Sequence, residues 1–266
     1  MSVFLFHDLE LHYERSGEGD FALVFIHGLG GNSESWKYQR EFFRQNYDII
    51  TVDRFGHGRS SSDIDPVFAA RTDAEAIDAL MRSVIQKPFF AVGHSFASAI
   101  LPEMIKLENP LLKGVVFVDC VYQGCDDIID TRVTFGSTML EYDDERLKIK
   151  ADAWYSELIG PAEPEQTDLI LSSFQRTDYR WMFHAVAGCR EYNEKYPAAI
   201  TPIIESLPIL VCEAEHGTGD SFRKSWINHF KDAHYYLFDN AHHFFFITES
   251  EKFNRILEDF ITQHTP

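Results

Sequence analysis

Ser95 stands in the stretch Gly93-His94-Ser95-Phe96-Ala97, between the apolar run Phe89–Val92 and the helically spaced Ile100, Leu101 and Met104. A serine hydroxyl becomes a nucleophile when a base takes its proton. A sharp strand-to-helix turn suits that task. It lifts the hydroxyl above the carboxyl edge of a sheet and aims the next backbone N–H, at the positive end of a helix, into the same space. Such a turn accepts only small neighbours, and Gly93 and Ala97 stand two residues to either side. The same residues would also suit an ordinary serine helix cap, so other segments must decide between the two.

Three segments bear on that choice. Phe25-Ile26-His27-Gly28-Leu29-Gly30-Gly31 directly follows an apolar run. Its glycines let the backbone turn and expose N–H groups. The Leu29 N–H is thereby a candidate oxyanion donor beside the Phe96 N–H. Asp53-Arg54-Phe55-Gly56-His57-Gly58-Arg59-Ser60 also follows a strand-like run. It reads as a structural turn, with His57 as a packing or hydrogen-bonding residue. Asp239-Asn240-Ala241-His242-His243-Phe244 lies between the last strand-like run and the last helix. A histidine there overlies the same carboxyl edge as Ser95 and can accept its proton.

The elements that must position these residues are legible as alternating patterns. Val3–Phe6 and Leu9–Glu14 read as a hairpin, and Ala22–His27, Asp48–Asp53, Phe89–His94 and Gly114–Asp119 as strands buried on both faces. Helices are expected over Ser35–Gln45, with Trp36, Phe42 and Phe43 inward, over Asp73–Gln86, with Val84 among its apolar positions, and over Ser95–Leu107. Strands return at Pro208–Cys212 and Ala233–Phe238, with helices near Ser221–Phe230 and over Glu249–Gln263. Repeated βαβ units imply an α/β fold with a doubly wound, mostly parallel eight-stranded sheet. Residues 120–207 break the rhythm. They hold helical patterns at Asp144–Leu158, Pro164–Gln175 and around Tyr179–Tyr192. The expected organisation is a core of residues 1–119 and 208–266, with 120–207 as a helical cap inserted after the sixth strand.

Composition narrows the partners. The 266 residues carry a formal charge of −18, which disfavours nucleic acid and anionic membranes. No stretch approaches the ~20 apolar residues of a membrane span, and the first residues lack a signal-peptide pattern. Cys120, Cys125, Cys189 and Cys212 have neither zinc-site spacing nor a disulfide framework, and read as buried thiols. These signals suggest a cytoplasmic protein acting on a small molecule, with no cofactor and no metal.

HGLGG, DRFGHGRS, GHSFA and NAHHFFFITES, in that order, resemble the α/β-hydrolase superfamily, in its branch with a helical cap. The resemblance runs from about Leu11 to the end, apart from the cap. It implies Ser95 as nucleophile and His243 as base. His242 takes the place where relatives usually carry glycine. The family's acid most often follows the strand that here reads PILVC, where the matching position is Gly217. Some members take the acid from the end of the preceding strand, which is Asp119 here. Glu215 and Asp220 are the alternatives. A serine nucleophile implies acyl chemistry rather than the aspartate chemistry of the family's dehalogenases and epoxide hydrolases. The expected function is hydrolysis of a small, mostly apolar ester or lactone, acyl-homoserine lactones being one candidate. Alternatives are a cofactor-free lyase or oxygenase, a C–C hydrolase, or a ligand receptor on the same fold. Most aromatics of the cap read as its own core and His184 as a satisfied cap histidine; which of Trp154, Trp181, Phe183 and His184 line a pocket is left open by the sequence, and Phe244–Phe246 could line the same pocket.

Overall fold

The computed structural model describes residues 2–120, 126–195, 207–217 and 232–265. Its centre is an eight-stranded sheet of order β1-β2-β4-β3-β5-β6-β7-β8. The strands are β1 (Ser2–Phe6), β2 (Leu9–Ser16), β3 (Ala22–Ile26), β4 (Asp48–Val52), β5 (Phe89–His94), β6 (Leu112–Val118), β7 (Ile209–His216) and β8 (His234–His242). The β1–β2 and β2–β4 pairs are antiparallel and the rest parallel. Every residue of β3, β4 and β5 is buried, which is why these strands read as unbroken apolar runs rather than alternating ones.

Helices cover both faces. α2 (Ala69–Leu80) and α3 (Ile100–Lys106) pack on one side through Ile77, Leu80, Leu101 and Met104. On the other side lie α1 (Lys37–Phe43) and the C-terminal helix, with Phe43, Leu257 and Phe260. Between β6 and β7 come α4 (Asp126–Leu140), α5 (Asp144–Ile159), α6 (Pro164–Phe174), α7 (Tyr179–Ala187) and α8 (Cys189–Lys195). A short α9 (Phe245–Thr248) precedes the final α10 (Ser250–Gln263).

Local geometry departs from the sequence expectation in a few places. The first helix opens as a 3-10 turn, Ser33–Trp36, before α1. That turn advances the phase, so Phe43 is buried while Phe42 is 41% exposed. After α2 the chain widens into a π-turn, Met81–Ile85, in which the Gln86 N–H donates to the Met81 carbonyl. The shift buries Ile85 and turns Val84 outward. Strand β8 runs four residues further than Phe238, carrying pairing up to His242. The helix expected near Ser221–Phe230 lies outside the described residues.

Parallel pairing brings the carboxyl ends of several strands level. Ile26 of β3 pairs with Gly93 of β5, His94 with Val118 of β6, and Val118 with Cys212 of β7. The segments carrying Leu29, Ser95, Asp119, Gly217 and His243 therefore leave the sheet along one edge.

Candidate active site

Ser95 follows directly on β5 and begins a 3-10 turn that leads into α3. Its φ is +53°, a left-handed conformation that a side chain disfavours by about 1–3 kcal/mol. The surroundings enforce that conformation. A β-carbon on Gly93 would sit 2.6 Å from the Ala97 β-carbon, and one on Gly28 2.8 Å from that of Ser95. Larger residues at 28, 93 or 97 would push the turn apart, so the small neighbours have a steric cause.

His243 comes immediately after β8 and is 6% exposed. Its Nδ1 hydrogen-bonds the Oδ2 of Asp119, a fully buried residue just past β6. A carboxylate only accepts, so Nδ1 carries a proton; in the neutral ring the lone pair is then on Nε2. The other oxygen of Asp119, Oδ1, accepts the Ala214 N–H at 3.0 Å, which holds the carboxylate from β7. Asp119 also has a positive φ, +43°, which aspartate tolerates better than most residues.

Gly217 leaves room for the Asp119 carboxylate. A β-carbon there would lie 2.2 Å from Asp119 Oδ2 and 2.4 Å from Oδ1. The space that a side chain at 217 would enter is the space the Asp119 carboxylate fills. Glu215 is turned elsewhere, accepting the Asn240 N–H at 2.7 Å. Asp220 lies outside the described residues. His242 packs its ring against Gly160, at the end of α5, and beside His216 of β7.

Buried histidines brace the site. Nε2 of His94 donates to the His243 carbonyl at 3.0 Å, and the two rings lie 4.4 Å apart. Burial holds the His94 imidazole well below the usual histidine range, so it stays neutral. His27 accepts the Arg54 N–H on Nε2 at 3.0 Å, so its Nδ1 proton donates to the Gly28 carbonyl at 2.7 Å. It thus ties the glycine-rich loop to the segment after β4. His57 packs between His27 and Trp181, with burial lowering it to about 3. Beside it Arg54 pairs with Asp73 in a buried salt bridge, and burial raises Asp73 to about 6 despite that cation.

A cavity of about 260 Å³ opens over this edge. Ser95 and His243 line it together with Leu29 and Phe96. Phe135, Trp154, Tyr155 and Leu158 line it from α4 and α5. Arg132 of α4, Val186 of α7, Cys189 of α8 and Gly217 also line it. The Tyr155 hydroxyl donates to the Leu29 carbonyl at 3.1 Å, joining α5 to the glycine-rich loop.

Other aromatic residues in the segment are structural. Trp181 packs on His57 and against Gly56, and Phe183 is fully buried beside Phe135 and Trp154. His184 is exposed. The run Phe244–Phe246 is buried, with Phe244 against Tyr155 and Phe246 against Trp36. Cys120, Cys189 and Cys212 are buried thiols. Sequence reasoning missed Arg132 and the Tyr155–Leu29 bond. Helix α4 has no strong apolar stripe, and the bond joins residues 126 positions apart.

Residues 23–256 match the sequence pattern described as Alpha/beta hydrolase family. Among curated proteins, the (E)-2-((N-methylformamido)methylene)succinate hydrolase of Acinetobacter baylyi is 31% identical over 118 residues, 42% of each chain. The matched stretch thus spans less than half of that relative. Among solved structures, the enol-lactonase of Burkholderia xenovorans superposes with a TM-score of 0.79 at 18% identity, covering 98% of this chain and 100% of that one. A thermophilic esterase from Thermogutta terrifontis gives 0.78 at 17% identity, over 97% and 95% of the two chains. At such identities the likeness is one of fold. Among the described residues, no helix is long and apolar enough to cross a membrane.

Proposed function

Because this chain belongs to the alpha/beta hydrolase family, we propose that it is a serine hydrolase of small, mostly apolar esters or lactones. Ser95 is the nucleophile, His243 the general base and Asp119 its orienting acid in this reading. The observation that carries it is the bond between Asp119 and His243 Nδ1, made at the rim of the cavity that Ser95 shares.

The reaction follows from that arrangement. Ser95 Oγ attacks the carbonyl carbon while its proton passes to His243 Nε2. The carbonyl π pair moves onto oxygen, and the backbone N–H groups of Leu29 and Phe96 receive the oxyanion. As the tetrahedral intermediate collapses, the bond to the leaving oxygen breaks and that oxygen takes the proton from Nε2. An acyl ester on Ser95 remains. Water then attacks the acyl carbon, giving a proton to Nε2. Collapse releases the acid and returns that proton to Ser95. Asp119 stabilises the imidazolium in both halves without itself being protonated.

Residues 120–207 act in this proposal as a cap that supplies the upper wall. Aromatic side chains from α4 and α5 exclude water from the acyl group and select for apolar bulk. The enol-lactonase and esterase folds noted above, and the hydrolase relative, are consistent with acyl chemistry. The test is a panel of p-nitrophenyl esters of increasing acyl length and simple lactones. Turnover is expected for short to medium chains and to fall once the chain outgrows the cavity. No turnover on any ester or lactone would reject the reading.

A further inference from the structure

Among the described residues, Arg132 is the one arginine or lysine on the wall of the cavity. It projects from α4, part of the segment that covers the site, while Ser95 and His243 line the same space. Its Nη1 is buried and, among the described residues, has no hydrogen-bond partner. The guanidinium touches the Cys189 thiol, which is only a weak acceptor. The neighbouring Thr131 hydroxyl already donates to the Asp127 carbonyl at 2.8 Å.

The rest of the chain makes this arrangement unusual. With 42 acidic against 24 basic residues, carboxylates are plentiful. Arg15, Arg40, Arg54, Arg71, Arg82 and Arg180 each pair with one. Among the described residues no carboxylate pairs with Arg132. A guanidinium cannot shed its charge, so a buried donor on it carries a desolvation cost until an anion arrives. Its planar fork matches the two oxygens of a carboxylate. The volume of about 260 Å³ also favours a compact molecule over a long acyl chain.

We infer that Arg132 docks a carboxylate of the substrate, so that the compounds cleaved at Ser95 are small acidic esters or lactones, apolar between the two ends. This rests on the serine-hydrolase reading and deepens it. The aromatic walls hold the apolar body, Arg132 the anionic end, and the acyl carbon meets Ser95. Two polar anchors at opposite ends fix the orientation that nucleophilic attack requires.

The experiment separates binding from turnover. Calorimetry on the full chain compares N-methyl amides of succinic, glutaric and adipic half-acids with neutral amides in which an isopropyl group replaces the carboxylate. Amides of this kind report binding without needing ester cleavage. At least one anionic member should bind on the order of tenfold tighter than its neutral match, as expected of a charged hydrogen bond. Arg132→Gln should erase that preference and Arg132→Lys should keep part of it, with melting curves confirming that both variants fold. Equal binding of every acid and its neutral match in the wild-type chain would overturn the inference, as would a preference that survives Arg132→Gln. The corresponding p-nitrophenyl half-esters test catalysis separately. A carboxylate preference in binding without turnover of any ester would reject the hydrolase reading while leaving Arg132 as an anion site.

Discussion

The carboxylate of Asp119, at the end of β6, holds Nδ1 of His243, at the end of β8, across 124 positions of sequence. Strand β7 lies between those two strands in the sheet, yet the bond passes over its end. It does so because β7 leaves the edge through Gly217, whose missing side chain clears the path. The Ala214 N–H of β7 then secures the second carboxylate oxygen.

Removing the charge of Asp119 should therefore cost catalysis more than stability. Asp119→Asn keeps the shape and tolerates the positive φ, but presents an amide to His243. A drop in kcat on the order of 10²–10⁴ is expected, by analogy with other triads, with little change in melting temperature. Glu215→Gln should be milder, since Glu215 bonds the Asn240 N–H rather than His243.

The acid should be transferable between strands. Gly217→Asp alone should damage the site, because its β-carbon would lie 2.2 Å from Asp119 Oδ2. Asp119→Gly combined with Gly217→Asp empties that space and supplies a carboxylate from β7. The double variant should recover activity above both single variants in ester assays. A double variant no better than the worse single one would show that the route from β7 to His243 is closed.

The two adjacent histidines should differ sharply. His243→Ala removes the proposed base and should nearly abolish turnover. His242→Ala removes a ring packed on Gly160 and His216, and should lower activity only modestly. Steady-state rates of the two purified variants give the ranking. A reversed order would place the base one residue earlier.

Stability should fall with acid. His27, His57 and His94 are buried with lowered proton affinity, His57 to about 3. The unfolded chain protonates these histidines below their ordinary pKa of about 6.5, while the folded chain does not. Unfolded molecules then bind more protons, so the stability they contribute is present above about pH 6.5 and is lost progressively toward about pH 3. Each such histidine adds a slope of up to about 1.4 kcal/mol per pH unit. Asp73, raised to about 6, works in the opposite direction over part of that range. Denaturant unfolding at pH 7, 6 and 5 should show the loss, and His57→Gln should flatten it.

Much of this arrangement could be read from sequence because local chemistry specifies it. The tight turn at Ser95 shows itself through Gly93 and Ala97, and the sheet through runs such as Ala22–Ile26, whose burial on both faces excludes polar residues. The acid was harder to read. Asp119 and Glu215 both stand near strand ends, and only the fold separates them, by setting His243 Nδ1 on Asp119 and the Asn240 N–H on Glu215. Arg132 left no sequence signal, because an arginine on a weakly patterned helix looks like solvent-facing charge until the helix is folded over the site. Phe42 and Val84 were misplaced for a similar reason: a 3-10 turn and a π-turn shift helical phase without changing composition.

The most direct measurement is covalent capture of the nucleophile. The wild-type protein is treated with a fluorophosphonate probe, digested and mapped by mass spectrometry, with Ser95→Ala alongside. Ser95→Ala should fold normally, since alanine fits between Gly93 and Ala97, and should lose on the order of 10⁴–10⁶ in kcat. The account predicts stoichiometric modification of the peptide carrying Ser95, abolished by Ser95→Ala and strongly slowed by His243→Ala. An unmodified Ser95 in active protein, or ester turnover retained by pure, folded Ser95→Ala, would contradict it.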